Sequence, residues 1–266
     1  MANIIEIADL GAPGLEVFTR LTDAQLRRGW EGKNGVFIAE GVQIAQIALS
    51  VGLNPVALLI EKKHLLGKAR ALVAACGNAP VYTGGAEVLA QITGYPLTRG
   101  VLAAFDRPQP SSVREVCAGK RRIAVLEQLN DGANVGALFR CAAALGMDGL
   151  ALTKDCCDPY SRRAMRVSMG TVLQLPWCWC DGDLSELRAL GYQTAAFALC
   201  DDAVSLEDER LKSVEQLAIV LGAEGSGLRE ATIQSADWRV KIPMAHGVDS
   251  LNVAAAGAVA FWQLRG

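Results

Sequence analysis

Three short stretches of this 266-residue chain concentrate the residue types that can do chemistry. The first runs from Leu129 to Arg140, LNDGANVGALFR. A polar turn leads into a helix for which Asn134 is suited as N-cap, its side-chain oxygen accepting from free backbone N–H groups. Val135, Leu138, Phe139 and Ala142 follow at helical spacing and form the stripe that packs on a core. Arg140 falls opposite that stripe, between Ala137 and Ala144. A guanidinium among small residues suits a cleft or a subunit interface, and an ordinary, partly exposed arginine is compatible with the same spacing. The second stretch is Ile219-Val-Leu-Gly-Ala-Glu-Gly-Ser-Gly227, an apolar strand running into a glycine-rich turn. Ligands of α/β sheets bind at such carboxyl ends of strands. The glycines are not spaced as Gly-x-Gly-x-x-Gly, no Gly-Lys-Ser/Thr follows, and Glu224 would repel phosphates, which argues against dinucleotide and nucleoside-triphosphate sites. A plain tight turn with an exposed glutamate remains open. The third is the loop 240–253, VKIPMAHGVDSLNV, which delivers Ser250 and Asn252 to the start of a helix that is apolar nearly all round. Ser250 suits an N-cap there, and His246 is more readily a structural loop residue than a base.

These groups need a scaffold, and the chain supplies alternating strand and helix signals. Apolar runs at 36–39, 55–60, near Val81 and at 101–105 predict strands of a small α/β layer structure, with Thr22-Asp-Ala-Gln25 opening a polar helix that carries Arg27 and Arg28. Runs at 123–129, 149–152, 192–199 and 217–221 predict further strands, separated by helices at 134–145, 161–169, 183–190 and 250–264. Strands separated by helices imply a mostly parallel sheet covered on both faces. The Pro- and Ser-containing stretch RPQPSSVREV reads as a linker, giving an N-terminal domain over 1–106, a linker over 107–120 and a second domain over 121–266.

Composition excludes several classes. Hydrophobic residues make up 51% and charged residues 20%, which suits a packed core rather than disorder. The formal net charge of −2 excludes a chain that is polybasic throughout, so nucleic-acid contact must come from local patches. Eight cysteines include no Cys-x-x-Cys, and only two histidines are present, so no metal site is expected and the thiols read as free in a reducing cytosol. The acidic N-terminus is unlike a signal peptide, and the longest apolar run, 253–262, is too short to span a membrane.

Taken together and in this order, the three stretches resemble the SpoU/TrmH family of RNA ribose methyltransferases, within the SPOUT superfamily. The resemblance is carried by Asn134-x-Gly-x-x-x-Arg140, by the Gly-x-Glu-Gly-x-Gly turn from Gly222 to Gly227, and by Ile242-Pro-Met with Ser250-Leu-Asn-Val253. It covers roughly the C-terminal 145 residues. Arg27, Arg28 and Phe37-Ile-Ala-Glu-Gly41 are more loosely similar to the family's substrate-binding domain. Ala223 stands where members often have Asn, and Asp-Gly-Ala precedes Asn134 where Asp-Pro is frequent. The resemblance implies a parallel sheet with a deep trefoil knot, a homodimer, and S-adenosyl-L-methionine held near Leu199, Gly222, Ile242, Met244 and Leu251. It implies methyl transfer to a ribose 2′-hydroxyl of structured RNA, tRNA or rRNA. Arg140 would activate the hydroxyl, with Asn134, Glu224, Ser250 and Asn252 holding it, the turn and the cofactor in place.

Positive surface for RNA would come from Arg20, Arg27, Arg28 and Lys33, from Arg121 and Arg122, and from Arg162, Arg163 and Arg166 on one helix. Two rival classes follow from the same residues. An RNA-binding protein without catalysis would have no need of Asn134, Arg140, Glu224, Ser250 and Asn252. A dinucleotide-dependent oxidoreductase would need another glycine spacing.

Overall fold

The computed structural model describes residues 3–7, 14–19, 35–94, 96–97 and 99–265. The expected helix around Thr22–Gln25, with Arg20, Arg27, Arg28 and Lys33, lies outside the described residues. The chain divides into two compact units, Met1–Gln109 with Tyr160–Leu173, and Pro110–Pro159 with Gln174–Gly266.

In the first unit, the described residues form a five-stranded sheet in the order β1 (Asn3–Glu6), β4 (Pro80–Gly84), β3 (Pro55–Glu61), β5 (Val101–Asp106), β2 (Val36–Glu40). The first three run parallel, and β5 and β2 are antiparallel to their neighbours. Alternation along β2 separates two faces. Val36 and Ile38 join Leu15, Phe18, Leu59 and Leu102 in one core. Phe37 stacks on Phe105 at 5.7 Å and on Tyr160 at 5.3 Å between ring centroids. That second stack explains why the segment 160–173, read from sequence with the second domain, packs with the first unit. Its helix Arg162–Val167, capped by the Ser161 hydroxyl, lies against β2.

In the second unit, the described residues form seven parallel strands in the order β10 (Val204–Ser205), β12 (Trp238–Lys241), β9 (Gln193–Phe197), β11 (Leu217–Leu221), β6 (Arg122–Leu126), β7 (Gly149–Thr153), β8 (Trp177–Cys180). Strands β6, β7 and β11 are buried along their whole length, as expected of a sheet covered on both faces. β8, β10 and β12 escaped the sequence reading, because at two to four residues they are too short for a periodic signal. Strand β11 enters between β9 and β6, so its carboxyl end lies at the middle of the sheet. The helix Gly132–Ala144 packs on the final helix Val253–Leu264. Gly257 permits the approach, since a Cβ there would fall 2.3 Å from Leu138 Cδ2. Part of the expected linker is itself a helix, Val113–Cys117, started by a capping box between Ser112 and Glu115, with Val113, Val116 and Cys117 in the core.

Arg122 corrects an expectation. It is 2% exposed and offers nothing to RNA. Its guanidinium donates to the carbonyls of Leu264 (2.7 Å), Val214 (2.9 Å), Arg121 (3.0 Å), Glu215 (3.1 Å) and Lys212 (3.1 Å). A cation satisfied by carbonyls, one of them at the end of the final helix, needs no anionic ligand. Neighbouring Arg121 is exposed.

Candidate active site

Strands β9, β11 and β12 end side by side, and the chain beyond each end encloses a cavity of about 720 Å³. Its walls are 197–199 after β9, the turn 221–228 after β11, and 240–244 with 249–253 after β12. Leu199, Gly222, Glu224, Ile242, Met244, Ser250, Leu251 and Asn252, all singled out from the sequence, line it together. The cavity is of the size that takes a small organic molecule and mixes apolar side chains with a glycine turn whose backbone is accessible.

The turn is built for close backbone packing. Gly225 and Gly227 have left-handed φ of 85° and 69°. Ala223 and Gly227 exchange backbone hydrogen bonds of 3.2 and 2.9 Å across the turn. A Cβ on Gly222 would lie 2.4 Å from Gly227 C and Leu228 N, so the opposite arm of the turn itself demands glycine there.

At the cavity mouth the three polar stretches meet. Asn252, not Ser250, caps the final helix, its Oδ1 accepting from Ala254 N at 3.0 Å and Ala255 N at 3.3 Å. Its amide donates to Asn134 Oδ1 at 3.1 Å and to Glu224 Oε1. Glu224 Oε1 also accepts from Val253 N at 3.4 Å, which puts the carboxylate at the positive end of the helix. Glu224 thus holds an amide and a helix end. Asn134 is buried within the first turn of its helix, while Asp131 supplies the cap by accepting from Ala133 N at 2.8 Å. An aspartate three residues earlier outcompetes the asparagine because the Gly-Ala pair continues the helix.

Arg140 lies six residues beyond Asn134 on the same helix, exposed and outside the cavity lining. Among the described residues it makes no hydrogen bond or ion pair. His246 is exposed with φ of 58° and does not line the cavity. Arg162 is half-buried, and Arg163 and Arg166 are exposed. No cluster of metal-ligating side chains occurs among the described residues.

Sequence reasoning passed over a charged cluster beside the turn. Glu127, directly after β6, is fully buried and meets Arg229, which also pairs with Asp155. Burial works to raise the Asp155 pKa, but hydrogen bonds from Thr153 and Gln128, with the Arg229 charge, bring it below the usual carboxylate range. The available signal was an acidic residue ending the apolar run Ile123-Ala-Val-Leu-Glu127.

Comparison with known proteins decides the family. The SpoU rRNA Methylase family profile matches residues 121–262. The chain belongs to this family. An uncharacterised tRNA/rRNA methyltransferase of Mycobacterium tuberculosis is 38% identical, over 98% of this chain and 91% of that protein. The Bacillus subtilis 23S rRNA (guanosine(2553)-2′-O)-methyltransferase is 26% identical, over 65% of this chain and 72% of its own length. The crystal structure of an AdoMet-bound rRNA methyltransferase from Sinorhizobium meliloti superposes with a TM-score of 0.83 at 25% identity, covering 98% of this chain and 97% of that one.

Proposed function

We propose that this SpoU-family methyltransferase acts on a ribose 2′-hydroxyl of structured RNA, rRNA or tRNA, with S-adenosylmethionine held in the cavity at the ends of β9, β11 and β12. The observation that carries this reading is the meeting of Asn134, Glu224 and Asn252 at one point, from three stretches far apart in the chain. The cavity suits the cofactor: Leu199, Ile242, Met244 and Leu251 offer apolar surface for an adenine ring, and the Gly222–Gly227 turn offers backbone groups for its polar edges. When bound, the cofactor supplies an electrophilic methyl group on a sulfonium.

The chain's own residues supply orientation and charge. Arg140, which makes no hydrogen bond or ion pair among the described residues, presents its guanidinium to the acceptor hydroxyl. An arginine stays protonated, so it stabilises negative charge growing on the ribose oxygen instead of removing the proton itself. Asn134 and Asn252, joined by their amide contact, fix the helix of Arg140 against the helix that walls the cavity. Ser250 lies in that wall.

The same reading includes a deep trefoil knot formed by the C-terminal chain, a homodimer and a cytoplasmic setting. The dimer is supported by the final helix, whose outer side exposes Val259 (43%) and Trp262 (56%). The residues before about 107 form the RNA-binding part, with Arg20, Arg27, Arg28 and Lys33, aided by Arg121, Arg162, Arg163 and Arg166.

A tritiated-methyl transfer assay on RNA from a strain lacking this protein tests the assignment. Arg140→Ala should lose about a hundred- to a thousand-fold in rate, the usual effect of deleting one preorganised charge, while its calorimetric affinity for S-adenosylmethionine stays within about threefold. Near wild-type transfer would remove Arg140 from the mechanism. A wild-type protein that binds RNA and the cofactor but transfers nothing would favour the RNA-binding reading.

A further inference from the structure

We infer that Glu127 is the positioning residue of the glycine turn: it holds both stems of the Gly222–Gly227 loop and so sets the affinity of the cavity for S-adenosylmethionine. The inference rests on the reading that the cofactor lies against this turn.

The turn leaves β11 at Leu221 and returns at Leu228 and Arg229. Glu127 grips it at both places. Its backbone N–H donates to Leu221 O at 2.9 Å, at the departing stem. Its Oε1 accepts from Arg229 N at 2.6 Å, at the returning stem. Its Oε2 accepts from Thr232 Oγ1 at 2.6 Å, and Arg229 Nη1 stands 3.5 Å from the same oxygen. Arg229 in turn reaches Asp155, beyond the end of β7, which accepts from Thr153 Oγ1 at 2.5 Å.

Glu127 is fully buried and absent from the cavity lining, so it touches neither cofactor nor acceptor. A buried carboxylate is unfavourable unless its oxygens are satisfied, and here short, charge-assisted bonds satisfy both. Its effect is to fix the separation of the two stems, and with it the backbone groups that face the cavity. Fixing them before the ligand arrives removes an ordering cost from binding. The chain also continues from Glu127 through Gln128, at a left-handed φ of 57°, toward Asn134. One residue thereby relates the turn to the helix of Arg140. The expected signature is an effect on cofactor affinity and KM, with little effect on kcat at saturation.

The test compares Glu127→Ala, Glu127→Gln and Thr232→Val with Tyr192→Phe. The last removes a buried hydroxyl bonded to Cys117 O and Lys120 O, remote from the turn, and serves as a control for lost stability alone. Three quantities are measured: exchange of the Ala223 and Gly227 amides, the S-adenosylmethionine Kd by calorimetry, and the split between KM and kcat. In the wild type the cofactor should protect residues 223–228. Glu127→Ala should speed exchange of the two amides and raise Kd and KM about tenfold or more, with kcat within about threefold. Glu127→Gln, which keeps an acceptor for Arg229 N, should recover most of the affinity. Tyr192→Phe should lose stability with Kd unmoved. Unchanged amide exchange in folded Glu127→Ala overturns the clamp. If that variant does not fold, unchanged exchange in Thr232→Val, which takes the hydroxyl donor from Glu127 Oε2, overturns it equally. Faster exchange with unchanged Kd overturns the link to affinity. An unprotected turn in the wild type would instead show that the cofactor lies elsewhere, while the variants still report on the clamp.

Discussion

Replacing Asn252 with aspartate changes one atom group at the point where the three polar stretches meet. The side chain keeps its size and its cap, since an aspartate oxygen can still accept from Ala254 N and Ala255 N. The two donations are lost, to Asn134 and to Glu224. Worse, two carboxylates now face each other at hydrogen-bonding separation. Two unit charges about 3 Å apart repel by roughly 1.4 kcal/mol in water and about 5.5 kcal/mol at an effective dielectric constant of about 20. Glu224 and Asn252 are exposed, so the lower part of that range applies. With the lost bond to the carboxylate, a total of about 2–4 kcal/mol is expected at pH 8. Protonating one partner relieves the repulsion. The introduced carboxyl therefore titrates higher in the folded state than in the unfolded one, so the variant regains stability as pH falls and loses it as pH rises. Asn252→Ala provides the contrast: it loses the cap and leaves buried Asn134 short of a partner, about 2–3 kcal/mol, without a new titrating group. Thermal unfolding of both variants and the wild type at pH 5 and pH 8 checks this. Asn252→Asp should lie close to wild type at pH 5 and several degrees below it at pH 8, whereas the deficit of Asn252→Ala should be similar at both. A pH-independent deficit for Asn252→Asp would refute the direct contact between residues 252 and 224.

Gly222→Ala should abolish calorimetric binding of S-adenosylmethionine, because the new Cβ would meet the backbone of the opposite arm 2.4 Å away; normal affinity would show that the turn opens freely. Arg122→Met should lower stability by about 2–4 kcal/mol through its unpartnered carbonyls and leave the salt dependence of RNA binding unchanged. A shallower salt slope with normal stability would restore Arg122 as a phosphate contact. Trp262→Glu should shift sedimentation at micromolar concentration from dimer to monomer, and an unaltered dimer would place the interface elsewhere. Alkylation at pH 8 should spare Cys76 and Cys180 until the protein is denatured, since burial pushes their pKa values to about 11 and about 12 and leaves at most roughly one thiolate in a thousand. Rapid labelling of either in the native protein would contradict that burial.

What the sequence determined by itself is local. The apolar runs of β6, β7 and β11 mark buried parallel strands because each is short, continuous and bounded by turn residues. The residues of the cavity were legible for a related reason: glycines, a lone glutamate in a turn and two polar side chains at a helix start are conspicuous against apolar neighbours. The tertiary structure decided everything that depends on strand order. Asn134 and Asn252 are 118 residues apart, and they touch because β11 enters between β9 and β6 and brings the final helix onto the helix of Asn134. Arg121 and Arg122 read alike as sequence, yet the alternation at the start of β6 exposes one and surrounds the other with carbonyls from segments far along the chain. Glu127 and Arg229, 102 residues apart, pair for the same reason. Periodicity reports which face of an element is buried, whereas the partner that buries it is set by chain crossings that no local window contains.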